Sequence, residues 1–363
     1  MKLLLSIFFL LITVQLTAQE KTFEREYTYK ASELDSKISC RAIAINQLRS
    51  ILLNEIGVYV ESESILKTSD VSGKFSQDFI ENIATISAGI TKLRVIQETW
   101  NGEIFWMKAA ITIDKKSLEE SLKQLVNDRQ KVKELEDLKQ QLNVATKELE
   151  RLKKELTSES KTNNPASGKL NSQKYNTEIN TLIATDYILK GKEKVEKKDF
   201  TGAEIDYARA IDLDPHSASA FQGRGISRQS LNKHPEAIVD FTKAIELDPK
   251  NWLYFSLRGI SKQSINNHEG ALEDFTKAIA IDPEHWLPYA YRGISEQSVK
   301  DFYGAISDFT KAIELEPKDH FAYFNRGIVK GVLGDEEGGC IDLRKARELG
   351  HPNAHKAIRD LCN

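Results

Sequence analysis

Arginine and aspartate recur at a fixed interval in the C-terminal half of the chain. The four arginines stand 34 residues apart, and so do the aspartates. They are Arg224, Arg258, Arg292 and Arg326, with Asp206, Asp240, Asp274, Asp308 and Asp342. Such charges bind a ligand or pair with each other, and regular recurrence favours pairing, because half-buried charges need partners. We predict a structural ladder between packed helices that sets the register of stacking.

No other residues have the spacing of a catalytic or metal site. The chain lacks a glycine cluster in phosphate-binding order, a His-Glu-x-x-His and a Cys-x-x-Cys. The histidines are His216, His234, His268, His285, His320, His351 and His355. A metal ion would need ligands from separate repeats. We therefore expect no catalytic residue, cofactor or metal, and a net charge of −3 favours neither nucleic acid nor an acidic membrane as partner.

The first 18 residues predict export. Lys2 precedes an apolar run from Leu3 to Ile12, and Ala18 ends a Leu-Thr-Ala sequence. This pattern is typical of a secretory signal peptide over residues 1–18, with cleavage before Gln19. A membrane anchor is less favoured, because the apolar run is short for a span. We expect a periplasmic or secreted protein without a transmembrane span after cleavage.

Export bears on the three cysteines. Cys340 and Cys362 could form a disulfide in an oxidising compartment, and the alternative is two buried thiols between helices. We expect Cys40 to pack in the core of the first domain.

The ladder residues lie within a longer repeating pattern that predicts pairs of helices. Acid–proline pairs end each unit, and glycine, alanine and aromatic residues recur between them at the same interval of 34. The prolines are Pro215, Pro249, Pro283 and Pro317; the glycines are Gly191, Gly225, Gly259, Gly293 and Gly327; the first alanines are Ala203, Ala237, Ala271 and Ala305. Small residues let two helices approach closely, and proline stops a helix. A fixed period of this length indicates a solenoid.

This pattern resembles the tetratricopeptide repeat family over about residues 183–362, with a period that is also 34. The resemblance implies an all-α solenoid in residues 175–363, with five repeats and a capping helix from Asn353 to Leu361. It also implies a concave groove lined by the first helix of each repeat. The matching groove positions are Gln222, Gln229, Ser230, Gln263, Ser264, Gln297 and Ser298. A neutral, amide-rich groove suits an extended peptide backbone.

One branch of that family clamps a C-terminal carboxylate with lysine and asparagine. The matching positions here hold uncharged residues of other types, namely Gln222, Ser256, Ala290, Ile226, Ile260 and Ile294. We therefore expect no carboxylate clamp.

Residues 19–114 predict an α+β domain in the order β-α-β-α-β-β. Alternation from Thr22 to Tyr29 indicates a strand, and an apolar helical period up to Ile56 ends at Gly57. Asn101-Gly102 lies between two β-rich runs, which indicates a hairpin. The remaining elements are a strand at Val58–Val60, a helix at Phe79–Ile90, and hairpin strands at Leu93–Thr99 and Ile104–Ile113.

The N-terminal domain resembles that of flagellar assembly protein T and related small envelope lipoproteins. The matching pieces are Cys40-Arg41-Ala42-Ile43-Ala44 and Glu98-Thr99-Trp100-Asn101-Gly102, within residues 22–120. The resemblance implies an envelope-associated, non-enzymatic module.

Between these domains, residues 115–156 carry leucines in a heptad register, from Leu135 to Leu156. This predicts a coiled-coil helix that forms a homodimer. A single helix folded onto its own domain, or a charged spacer, remains open. Residues 157–174 have no apolar period and predict a flexible linker.

These observations favour an exported, non-enzymatic scaffold that binds a protein or peptide in the groove. Two alternatives remain: an N-terminal domain that binds a small molecule or glycan, and a structural envelope spacer.

Overall fold

A computed structural model describes residues 20–31, 35–62, 93–114 and 165–362, together with positions 144, 148, 151, 152, 154 and 155. The chain divides into two compact units, Met1–Leu182 and Ile183–Asn363. The signal peptide, the predicted helix at 79–90 and nearly all of the predicted coiled coil lie outside the described residues and stay predictions. Within the coiled-coil range, Leu152 is buried.

The first unit is built on a three-stranded antiparallel sheet. Its strands are β1 Glu20–Lys30, β2 Leu93–Trp100 and β3 Ile104–Asp114, in the order β1-β3-β2. β3 is the central strand, and Phe105, Met107 and Ala109 on one of its faces are fully buried. Side chains alternate between the two faces of a strand, so these three residues lie on the same face of the sheet.

The predicted hairpin between β2 and β3 is confirmed. Asn101 begins the turn, and its side-chain oxygen accepts from the backbone N–H of Glu103 at 3.0 Å and of Ile104 at 2.7 Å. Gly102 has a φ of 100°, which a side chain would disfavour. Asparagine and glycine therefore each meet a distinct requirement of this turn.

The helix that covers the sheet is longer than predicted. α1 runs from Lys37 to Ser62, so the strand predicted at Val58–Val60 is wrong, and Gly57 does not end the helix. A glycine inside a helix costs about 1 kcal/mol, which does not offset the backbone hydrogen bonds that continue the helix. Cys40 and Leu48 are fully buried against the sheet, as predicted for Cys40.

Part of the predicted linker is also helical. α2 runs from Pro165 to Glu196, which includes residues 165–174. Proline is favourable in the first turn of a helix, and the absence of an apolar period does not prevent a helix from forming. Further along α2, the Tyr175 hydroxyl donates to Asp35 at 2.5 Å, and Tyr175 is 1% exposed. Residues 175–182 thus belong to the first compact unit.

The second unit is a stack of helix pairs, which confirms the predicted solenoid. In chain order the helices are α3 Phe200–Leu213, α4 Ala218–Ser230, α5 His234–Leu247, α6 Trp252–Ser264, α7 His268–Ile281, α8 Trp286–Ser298, α9 Phe302–Leu315, α10 His320–Val332, α11 Glu336–Glu348 and α12 Ala354–Leu361. The first helix of each repeat is the end of α2 or one of α4, α6, α8 and α10.

A common turn joins the two helices of each repeat. In the third repeat, Asn266 has a φ of 61°, its N–H donates to Gln263 O at 2.9 Å, and the Asn267 N–H donates to Lys262 O at 2.9 Å. This is the Schellman arrangement that ends helices. The Asn267 side chain then accepts from the Gly270 N–H and caps α7.

The acids that precede the prolines form the turns between repeats. The Asp248 carboxylate accepts from the Lys250 N–H at 3.3 Å, and Asp282 accepts from Glu284 at 3.2 Å. Aspartate commonly bonds to a backbone N–H two residues ahead, so these residues start a turn where proline ends the helix.

The repeat glycines sit under the aromatic rings of the second helices. A Cβ added at Gly259 would lie 2.8 Å from two ring atoms of Phe275, and Phe275 is fully buried. Equivalent contacts join Gly225 to Phe241 and Gly293 to Phe309. The glycines therefore permit the close approach of the paired helices.

Replacing Gly259 by alanine should accordingly destabilise the second unit by about 1–3 kcal/mol through overpacking. Urea denaturation followed by circular dichroism would measure the loss. Lys243→Ala changes an exposed side chain on α5 and is the control, which should unfold close to the wild type. Wild-type stability of Gly259→Ala would show that the ring moves aside.

A disulfide attaches the last helix to the solenoid. Cys340 and Cys362 are bonded, with a Cα–Cα distance of 5.7 Å, so the structure selects the first of the two alternatives left open by the sequence. A Cβ at Gly331 or Gly339 would lie within 3.2 Å of the Leu361 side chain. Glycine replaces the usual glutamine and alanine at these two positions, which lets Leu361 pack closely.

Candidate functional site

The first helices line the inner face of the solenoid. Neighbouring first helices contact each other, from α4 to α6, α8 and α10, whereas second helices of adjacent repeats make no comparable contacts in the described part of the chain. Helices that lie closer together form the inside of a curved stack. The predicted groove positions all belong to first helices.

One isoleucine from each of α4, α6, α8 and α10 forms a row along the stack. The four residues are half-buried and stand at the 34-residue interval. They are Ile226, Ile260, Ile294 and Ile328. We call this set the isoleucine row. By the family resemblance, Ile226, Ile260 and Ile294 correspond to clamp positions, and these positions are apolar rather than basic.

Three of the predicted groove residues are glutamines that each follow an isoleucine of the row by three residues, and their contacts differ. The Gln263 side chain donates to Tyr291 O and to Ser295 Oγ, both at 2.7 Å, and so joins α6 to α8. Within residues 165–362, the amides of Gln229 and Gln297 have no such intramolecular partner, and both side chains are partly exposed. Gln263 is therefore committed to packing, and the other two amides are available to a ligand.

The remaining predicted positions are uncharged and accessible. Gln222 is partly exposed, and Ser230, Ser264 and Ser298 are exposed. The hydroxyls of Ser264 and Ser298 donate to the backbone of their own helices, at 3.1 and 2.9 Å. These serines add small polar edges to the groove without a charge.

The arginine–aspartate pairs lie between the two helices of each of the second to fifth repeats. Arg258 donates from Nε and Nη2 to the two Asp274 oxygens at 2.9 and 2.7 Å, and the Asp274 side chain is 1% exposed. Bidentate pairs of this kind are strong and directional. The pairs Arg224–Asp240, Arg292–Asp308 and Arg326–Asp342 have equivalent contacts.

Each ladder arginine also reaches beyond its pair. The Arg258 guanidinium lies over the Phe255 ring at 5.7 Å, and its Nη1 donates to Thr242 Oγ1 of the preceding repeat at 3.0 Å. Arg292 and Arg326 bond Thr276 and Thr310 in the same way. One guanidinium thus connects three helices, which agrees with a role in stacking register.

A second basic residue completes most rungs and was missed in the sequence. Four residues after the ladder arginine, Lys262 Nζ lies 2.8 Å from Asp274 Oδ2. The equivalent cations are Lys194, Arg228 and Lys330, each within 2.8 Å of its aspartate. In the fourth repeat the position holds Glu296. Alignment of the repeats at 34 residues is the signal that reveals both the second cation and the exception.

The described residues contain no group of three histidine, cysteine, aspartate or glutamate side chains placed to hold a metal ion. In the same residues, no helix has both the length and the apolar character that crossing a bilayer requires.

The geometry defines a helical-hairpin repeat protein whose inner face is built by the first helices. Residues 218–251 match the family model of the tetratricopeptide repeat. Together with the helix pairs, this confirms the predicted tetratricopeptide solenoid in the C-terminal unit. No curated protein sequence matches the chain.

Solved structures of tetratricopeptide proteins are similar to about half of the chain. A MamA protein is 23% identical, with 48% of this chain and 94% of that chain covered and a TM-score of 0.42. YrrB, described as a TPR protein with an unusual peptide-binding site, is 22% identical over 48% and 90%, with a TM-score of 0.41. PilF of Pseudomonas aeruginosa is 18% identical over 48% and 79%, with a TM-score of 0.45.

Proposed function

We propose that the protein is a non-enzymatic scaffold that holds an extended segment of a partner protein along the inner face of the solenoid. The observation that carries this proposal is the isoleucine row, bordered by the unbonded amides of Gln229 and Gln297. A ligand that covers the row removes apolar surface from water, which contributes roughly 25 cal/mol per Å². A side-chain amide both donates and accepts, so it can pair with one peptide unit of the ligand.

The spacing of the row favours one backbone conformation in the ligand. Packed helices lie about 8–10 Å apart. A polyproline II segment rises about 3.1 Å per residue and returns to the same face every third residue, after about 9 Å. Its backbone makes no internal hydrogen bonds and is therefore open to the glutamine amides. We expect partner segments with apolar side chains at every third position.

Random peptides selected on the full-length protein provide the probe for a test. Selected sequences should share apolar residues at positions i, i+3 and i+6. Changing Gln229 and Gln297 together to alanine should weaken binding of such a peptide about tenfold, because two hydrogen bonds of roughly 0.5–1.5 kcal/mol each are lost. Fluorescence anisotropy with the labelled peptide measures this change.

Gln263→Ala is the matched control. It should lower the melting temperature, because it removes the two hydrogen bonds between α6 and α8, whereas the double variant should melt like the wild type. If the wild type and the double variant bound the peptide with equal affinity, the proposal that the peptide binds in this groove would be refuted.

We further propose that this groove works outside the cytoplasm, in the periplasm or in secreted form. The signal-peptide pattern of residues 1–18 supports this location. The Cys340–Cys362 bond supports it as well, because disulfides persist in oxidising compartments. Mass spectrometry of the native protein should find Gln19 as its first residue, and a retained Met1 would refute export by this route.

A further inference from the structure

The fourth rung of the ladder has a reversed charge balance. In the third rung, Arg258 and Lys262 face one carboxylate, that of Asp274. In the fourth rung, Arg292 faces two carboxylates, those of Asp308 and Glu296. One buried cation and two anions replace two cations and one anion.

Arg292 is committed to only one of the two acids. Its Nε and Nη2 donate to the Asp308 oxygens at 2.6 and 2.8 Å, and its Nη1 donates to Thr276 Oγ1 at 3.3 Å. The nearest Glu296 oxygen lies 3.9 Å from Arg292 Nε, beyond hydrogen-bond reach. Glu296 Oε2 is buried and has no hydrogen-bond partner in the described structure, and the side chain is 15% exposed.

The other groups around Glu296 do not supply the missing cation. From α9 and its N-cap, the facing charges are the acids Asp308 and Asp301. The Thr276 hydroxyl of α7 bonds Arg292, and the Gln263 amide of α6 bonds Ser295, the residue before Glu296; both groups are uncharged. α10 packs the Phe321 ring against Tyr291, 5.7 Å between centroids.

Burial is the largest cause that raises the pKa of Glu296, and the charge of Asp308 is the next, although Arg292 opposes them; the result is about 7. The hydrogen bond that a protonated Glu296 can donate to Asp308 also raises the pKa. Two carboxylates share a hydrogen bond only when one of them carries a proton.

We propose that the fourth repeat is a proton-dependent joint, in which α8 and α9 pack fully when Glu296 is protonated and bonded to Asp308, and loosen when both carboxylates are charged. This inference does not depend on what the groove binds. At acidic pH, protonated Glu296 donates to the Asp308 carboxylate, as the second basic residue does to the equivalent aspartate in the other repeats. At higher pH it does not.

The direction of the pH effect follows from the raised pKa. Unfolded Glu296 has the ordinary value of 4.5, and the folded value is higher. The group therefore favours the folded state below pH 4.5, and this contribution is lost as the pH rises to about 7. Because other groups titrate as well, the informative quantity is the difference between two variants at each pH.

Thermal melting of the full-length protein and of Glu296→Gln at pH 5 and pH 8 tests the joint. Glutamine imitates the protonated acid. We expect similar melting temperatures at pH 5, and a wild type that melts about 5 °C or more below Glu296→Gln at pH 8. Glu296→Lys, which copies the third rung, should also melt above the wild type at pH 8. A difference between wild type and Glu296→Gln that is the same at both pH values would overturn the proposal.

Two controls keep the result specific. Glu246→Gln alters an exposed glutamate, paired with Lys243 at 2.9 Å, and should show no such pH-dependent difference. Hydrogen exchange of the wild-type protein, corrected for intrinsic rates, should show weaker protection of α8 and α9 at pH 8 than at pH 5.5. Unchanged protection of both helices would contradict the joint even if a variant failed to fold.

Discussion

Replacing Asp274 by alanine is expected to destabilise the solenoid by about 3–5 kcal/mol, the largest loss for any single side chain described here. The aspartate is 1% exposed and accepts from both Arg258 and Lys262. Its removal leaves two cations in a half-buried position without an anion, and a broken buried pair costs far more than an exposed one. Urea denaturation followed at the helical circular dichroism band measures the loss.

Lys243→Ala is the matched control, since Lys243 and Glu246 are an exposed ion pair on α5. Such pairs contribute about 0–1 kcal/mol, so this variant should unfold close to the wild-type midpoint. Hydrogen exchange should place the loss in Asp274→Ala on α6 and α7. If both variants unfolded at the same urea concentration, the ladder would not be a principal source of stability.

The second large effect is expected from the disulfide. The bond closes a loop with a sequence separation of 22, and a loop of this size contributes about 3 kcal/mol in the chain-entropy estimate. Reduction, or Cys340→Ser together with Cys362→Ser, should release α12 and expose the glycines that pack against Leu361. Melting curves with and without dithiothreitol measure the effect.

The double serine variant is also the control for reduction. It should melt like the reduced wild type and should not respond to dithiothreitol, because Cys40 lies buried in the other unit. Identical melting of the oxidised and reduced wild type would show that contacts of Leu361 alone hold the cap.

The repeat architecture could be predicted because each unit repeats the same local requirements. Gly259 under the Phe275 ring and an acid–proline turn are visible as residue types at a fixed interval. The extension of α1 beyond Gly57 and the start of α2 at Pro165 could not be predicted in this way. There, backbone continuity outweighed a weak local stop signal.

The equivalence of the three glutamines in the sequence does not extend to their contacts. The sequence places Gln229, Gln263 and Gln297 as equivalents, yet only Gln263 meets both Tyr291 O and the Ser295 hydroxyl. The disulfide required the 5.7 Å separation of Cys340 and Cys362, which spacing along the chain does not give. Pairwise contacts of this kind depend on neighbours that are distant in sequence.

Site-specific photocrosslinking tests most directly whether the first-helix face is the binding surface. A photoreactive residue at Ser264, exposed in the groove, is compared with one at Tyr303, 78% exposed on the second helix α9. With a labelled peptide selected on the protein, we expect adducts at position 264 that excess unlabelled peptide suppresses, and none at position 303. Adducts at 303 with none at 264 would contradict binding in the groove.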